Sequence, residues 1–250
     1  MTRFLCIACE VFARPIYLSA AFSTHVVDVE LIQRGLHNQP DKLQAGIQDH
    51  IDHAEGRGYQ AILLGYGLCG NGTAGLHARS IKLVLPRLHD CIALLLGDPL
   101  RYQEQFDQNP GTYWYSQDFL ERTDDINTFT TMGPISDTEL AKKYEVFLEK
   151  YGKENADYLM EVMGAWQTHY KRAAFIDMGL ANVDKSKKRV QLGAKHRGWM
   201  FETLVGDLVL FRQLLNGEWS QNDASNFIVV PPNHSVGLTY DECIFRCDPL

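Results

Sequence analysis

Thiol and imidazole side chains follow short apolar runs at three places in this 250-residue chain. Cys9 ends the run Phe4-Leu-Cys-Ile-Ala8, Cys69 lies just past Ala61-Ile-Leu-Leu64, and His89 and Cys91 come just after Ile81-Lys-Leu-Val-Leu85. Thiolate sulfur and imidazole nitrogen are the ligands that zinc and other thiophilic ions prefer, and four of them complete a tetrahedral shell. Cys9, Cys69, His89 and Cys91 form such a set, whereas any three would leave a position open for water or a substrate thiol. Two proton carriers stand near the same run ends, Glu10 beside Cys9 and His37 past the second apolar run, and these are the expected groups for proton transfer.

Around Cys69 the chain carries Gly65, Gly67, Gly70, Gly72 and Gly75 within eleven residues. That density costs backbone entropy and is expected where the main chain turns left-handed or comes close to a ligand. Gly65, Gly67, Gly70 and Gly72 are therefore read as ligand-contacting positions. Gly65 to Gly70 also spells G-x-G-x-x-G after a strand. It does not lie on the first strand, however, and the Leu88-His-Asp90 region stands where the acidic partner of a dinucleotide site is expected, which leaves nucleotide binding a third reading. Cys6 is three residues before Cys9. On a strand these positions face opposite sides, so Cys6 is expected in the core rather than beside Cys9 on one ion. Cys243 and Cys247 would bind metal separately only if helical. Signatures of serine hydrolases, zinc proteases and P-loop enzymes are missing.

Positioning the thiols together requires their runs to be parallel strands of one sheet, because the carboxyl ends of such strands share the edge where open α/β folds bind ligands. The runs near 3–8, 25–32, 61–65 and 81–85 read as strands, and 91–96 as a strand or a first helical turn. Leu43, Ile47, Ile51 and Ala54 recur at helical spacing from Lys42 to Glu55 after Pro40, which predicts an amphipathic helix. Helices are further expected over 137–150 and 154–170, strands over 173–177 and 227–230, and one long helix over 194–215. The segment 108–136 is punctuated by Asn109-Pro-Gly111 and Gly133-Pro134 yet holds Tyr113-Trp-Tyr115. It is read as an irregular insertion whose Tyr113 lines the pocket, with a core strand as the alternative. Strands alternating with helices give the expected class: α/β, an open, mostly parallel sheet flanked by helices, in a single domain over 1–250.

A formal charge of −7 and a pI near 5.7 argue against nucleic-acid and anionic-membrane partners. The only basic run, Lys185-Ser-Lys-Lys-Arg189, reads as a solvated loop. The amino terminus lacks the features of a secretory signal, no stretch is apolar enough to span a membrane, and six cysteines without export features point to reduced thiols in the cytoplasm.

The stretches Ala8-Cys9-Glu10, Leu36-His37-Asn38, Leu63-Leu-Gly-Tyr-Gly-Leu-Cys-Gly-Asn-Gly72, Pro86-Arg-Leu-His-Asp-Cys91, Leu95-Leu-Gly97, Pro110-Gly-Thr-Tyr113 and Gly217-Glu-Trp219 together resemble the family known as domain of unknown function sixteen-thirty-eight, from about Leu5 to Pro232. The Gly65–Gly72 loop is the most specific part. The resemblance implies a bacterial or archaeal, anaerobic setting alongside corrinoid-dependent methyl transfer. Relatives often have an Arg-Cys pair before the histidine. Here it is Arg87-Leu88, so no further thiol is expected there.

The expected function is a cytoplasmic metal-dependent enzyme, a transferase acting on a small molecule at the thiolate-rich edge, linked through the resemblance to corrinoid or one-carbon methyl metabolism. Zinc is the first metal expected, with an iron–sulfur cluster or a corrinoid as other cofactors and a corrinoid protein or methyltransferase as a partner. The alternative is a non-catalytic accessory protein that binds a metal or a corrinoid. A water-open site would favour the enzyme and a closed four-ligand site the accessory role.

Overall fold

The computed structural model describes residues 2–34, 36, 39–122, 137–164, 170–220, 226–239, 241 and 243–250. The chain divides into two compact units, Met1–Tyr102 with Asp207–Leu250, and Gln103–Gly206.

The first unit is built on a five-stranded open sheet. Strands β1 (Arg3–Cys9), β2 (Val26–Ile32), β3 (Ala61–Gly65), β4 (Leu83–Pro86) and β8 (Phe227–Val230) lie in the order β2-β1-β3-β4-β8. The first four run parallel and β8 is antiparallel to β4. The central strands are buried along nearly their whole length, which is why they read as continuous apolar runs rather than as alternation.

Between these strands, a 3-10 turn at Glu10–Phe12 leads into helix α1 (Ala13–Ala21), and α2 (Pro40–His53) starts on Pro40 and buries Leu43, Ile47 and Ile51. Helix α3 (Cys91–Leu96) settles the 91–96 ambiguity: the Asp90 side chain caps it by accepting the Ile92 N–H at 2.8 Å, and Gly97 ends it at φ 76°. Helix α4 (Pro99–Gln108) follows. Helix α8 (Val209–Leu215) packs on α1, with Phe211 edge-on to Phe12 at 5.4 Å. Strands β9 (His234–Leu238) and β10 (Phe245–Pro249) form an antiparallel hairpin. Cys247 lies on β10 and contacts the Val229 carbonyl at 3.5 Å, so the helical arrangement that a Cys243–Cys247 metal pair would need is not formed.

The second unit holds a parallel three-stranded sheet of β5 (Thr112–Ser116), β6 (Arg172–Asp177) and β7 (Met200–Val205), in the order β5-β6-β7. Its helices are α5 (Gln117–Glu121), α6 (Asp137–Gly164) and α7 (Asp184–Arg197). The described part of the supposed irregular segment is thus a buried strand and a short helix, and 123–136 lies outside the described residues. In α6, Gly152 at φ 74° breaks the helix between the two expected over this region, and residues 165–169 lie outside the described residues.

Two expectations are corrected here. The long helix over 194–215 is instead the end of α7, strand β7 and helix α8. Phe201, Leu204, Leu208 and Phe211 are spaced like a helical stripe, but Gly198 at φ 68° terminates α7 and residues 200–205 find a better hydrogen-bond partner in β6. The basic run 185–189 belongs to α7, where Lys187 Nζ reaches Asp177 at 2.6 Å, so it is not a loop.

Candidate functional site

Register places the carboxyl ends of the parallel strands on one edge. Cys9 pairs with Ile32, Ala8 with Gly65, and Leu63 with Val84, so the segments after β1, β3 and β4 leave the sheet side by side. The segment after β3 carries Tyr66 to Gly75, and the segment after β4 leads through His89 to Cys91 at the start of α3.

Glycine lets these two segments touch. A Cβ on Gly67 would stand 2.9 Å from the Leu88 carbonyl oxygen and 3.3 Å from the Asp90 carbonyl carbon, too close for any other residue without moving main chain. With the side chain absent, Leu68 N–H donates to the Leu88 carbonyl at 2.7 Å and Cys69 N–H to the His89 carbonyl at 3.4 Å. Cys69, Gly70 and Asn71 then turn left-handed in succession, with φ of 48°, 63° and 74°, a conformation that costs a residue with a side chain roughly 1–2 kcal/mol. The buried Thr73 hydroxyl holds the turn by donating to the Gly67 carbonyl at 3.1 Å.

The result is a pair of free thiols in contact: Cys69 Sγ and Cys91 Sγ lie 2.8 Å apart. Cys9, at the end of β1, is buried at 7 % exposure. Its thiol is pushed up to about 12, first by burial and then by the charge of Cys91. The Cys91 thiol is raised well above its usual range by the hydrogen bond with Cys69 and by burial, while a hydrogen bond with the Gly67 main chain opposes the rise.

Tyr66, the residue after β3, completes the site. It is 2 % exposed, and its hydroxyl has no hydrogen-bond partner among the described residues. Burial raises its pKa well above the phenol range, and the charges of Cys9, Cys91, Cys69 and Cys6 raise it further. A buried hydroxyl without a partner costs about 1–3 kcal/mol. Sequence reading passed over Tyr66 because an aromatic ring beside a strand end usually means packing; the available signal was its place between Gly65 and Gly67.

The other expected residues are distributed as follows. His89 gives its carbonyl to Cys69, but its side chain is exposed. The Glu10 carboxylate accepts the Arg34 N–H at 3.1 Å and is close enough for its charge to act on Cys9. His37 lies outside the described residues. Gly65 serves strand packing, since its Cβ would meet Ala8 Cβ at 2.6 Å. Gly72 does the same for α2, where Leu43 Cδ2 would be 2.6 Å away, and Gly70 is exposed in the left-handed turn. Cys6 is fully buried, as expected of a core thiol, and is pushed up to about 12 by burial. Tyr113 belongs to the second unit, buried on β5 and stacked on Trp199 at 4.8 Å.

Among the described residues, no three His, Cys, Asp or Glu side chains stand as a preformed metal-binding group. An ion about 2.3 Å from each of two thiolates in a tetrahedral shell holds them about 3.8 Å apart. Cys69 and Cys91 are closer than that, so coordination needs their sulfurs to separate by about 1 Å, a movement within reach of an exposed turn. Thiolates of the kind Cys69 and Cys91 would provide are the soft donors a thiophilic ion selects.

No curated protein and no solved structure is significantly similar to the chain. The sequence profile of the family described as "Protein of unknown function (DUF1638)" matches residues 31–215. The chain belongs to that family. The matched stretch contains Tyr66, Cys69, His89 and Cys91, while Cys9 and Glu10 precede it.

Proposed function

We propose that this family member binds a thiophilic metal ion, zinc first, between Cys69 and Cys91, with Cys9 as a third thiolate, and acts there on a small molecule. The observation that carries this reading is the 2.8 Å approach of two free thiols at the carboxyl edge of a parallel sheet, next to the unpartnered hydroxyl of Tyr66. Neutral thiols in contact gain little from each other. Two thiolates repel, and a cation between them offsets both that repulsion and the burial that keeps Cys9 and Cys91 protonated.

In this reading Tyr66 O–H donates to the non-sulfur part of the ligand. Glu10, held by the Arg34 N–H, is the proton acceptor. Bound there, a zinc ion would make a substrate thiol or water nucleophilic near neutral pH. Three thiolates leave one position open for that group, which is the requirement of a transferase rather than of a closed carrier site. Corrinoid-linked methyl transfer, which the family resemblance implies, is one chemistry that uses a thiol activated in this way. The free state of all described cysteines accords with a reducing compartment such as the cytoplasm.

The test is metal content by mass spectrometry after purification without oxygen or chelators. Wild type is expected to retain close to one ion per chain, Cys6→Ser the same, and Cys69→Ser and Cys91→Ser a small fraction of it. Equal content in wild type and both site variants overturns the proposal.

A further inference from the structure

We infer that Cys69 and Cys91 are also a dithiol–disulfide couple that reduces a low-molecular-weight disulfide, with Cys69 as the attacking thiol and Cys91 as the resolving one. This goes beyond metal binding and uses the same two sulfurs when no ion separates them. A disulfide bond holds its sulfurs at about 2.05 Å, so the pair at 2.8 Å closes by less than 1 Å.

The two thiols are not equivalent. Cys69 sits in the left-handed turn beside exposed Gly70, on the part-exposed side of the loop. Cys91 is fixed at the first position of α3 and is tied to the main chain of Gly67. The contact between the two sulfurs keeps Cys91 within reach of a mixed disulfide formed on Cys69.

The step balances without another reagent. The Cys69 thiolate attacks one sulfur of the small disulfide, the S–S bond breaks, and the departing thiolate takes the Cys91 proton. Cys91 sulfur then attacks Cys69 Sγ, the mixed disulfide breaks, and a second small thiolate leaves and is protonated from solvent. The small disulfide gains two electrons and the Cys69–Cys91 pair loses two.

The test uses the full chain, reduced and treated with chelator, and 4,4′-dithiodipyridine as the probe. Cys69 and Cys91 fall in separate tryptic peptides, residues 58–79 and 88–101, so mass mapping reads their cross-link directly. Wild type is expected to release two thiopyridones per chain in a fast phase and to yield the 58–79/88–101 cross-link. Cys91→Ser is expected to keep the fast phase at half the amplitude and to stop with the probe on Cys69, and Cys69→Ser to lose the fast phase. No cross-link in wild type, or an unchanged fast amplitude in Cys91→Ser, overturns the inference. Metal content measured on the same preparations before chelation keeps the two proposals apart. A cross-link in a protein that never held metal removes the metal reading alone, and stoichiometric metal without a cross-link removes this one alone.

Discussion

Cys69 Sγ and Cys91 Sγ stand 2.8 Å apart although the residues are 22 positions apart in the chain. What joins them is main chain meeting main chain at Gly67, where Leu68 and Cys69 N–H groups after β3 donate to the Leu88 and His89 carbonyls after β4. The thiol pair is therefore a property of two loops held by a sheet.

Gly67→Ala is expected to separate those loops, because its methyl group would stand 2.9 Å from the Leu88 carbonyl. A loss of about 1–3 kcal/mol in denaturant unfolding is expected, together with loss of bound metal. Gly56→Ala is the control: no atom lies within 4 Å of its Cβ, and only its φ of +73° is unfavourable, so about 1 kcal/mol is expected with metal content unchanged. Wild-type metal content in Gly67→Ala would show that the loop contact does not organise the site.

Tyr66→Phe removes a hydroxyl that has no partner among the described residues. Removing an unsatisfied group relieves its desolvation cost, so the variant is expected to melt at or above the wild-type temperature. Retention of a small-molecule ligand is expected to fall about tenfold, the loss of one hydrogen bond worth about 1.4 kcal/mol. A destabilised variant that binds normally would assign the hydroxyl to the fold instead.

Alkali is expected to destabilise the protein through its buried thiols. The unfolded chain releases cysteine protons above about pH 8.5, whereas the folded chain holds those of Cys6 and Cys9 up to about 12. Between these values the folded state binds more protons, so stability is fully present below the unfolded pKa and falls as pH rises. The slope approaches about 1.4 kcal/mol per pH unit for each thiol. Cys6→Ala removes one share of that slope, whatever its cost at neutral pH. Parallel stability profiles for wild type and variant from pH 8 to 11 would contradict the account.

His89→Ala separates the sequence expectation from the observed geometry. The exposed ring stands apart from the thiol pair's hydrogen bonds, and only the backbone carbonyl supports the Cys69 turn. Metal content within about 20 % of wild type is expected, measured beside Cys91→Ser as the depleted reference; the remaining coordination position belongs to water or substrate. A loss as deep as that of Cys91→Ser would restore His89 as a ligand.

Legibility followed locality. The strands β1, β3 and β4 and helix α2 could be read because burial wrote itself as apolar runs and a stripe at helical spacing, and parallel strands then placed Cys9, Cys69 and Cys91 on one edge. Strand β7 could not, because Phe201, Leu204 and Leu208 satisfy a helical period and only pairing with β6 decides otherwise. Tyr66 escaped notice because the value of its hydroxyl lies in what surrounds it after folding. The exposure of His89 likewise depends on how its segment packs, which spacing from Cys91 does not encode.

The most direct test of the central claim is X-ray absorption at the metal edge of protein purified without oxygen. A first shell with two or three sulfur atoms at about 2.3 Å is expected, with one sulfur fewer in Cys69→Ser reconstituted with the same ion and an unchanged shell in Cys6→Ser. A shell made only of nitrogen and oxygen, or one that keeps its sulfur count without Cys69, would contradict it.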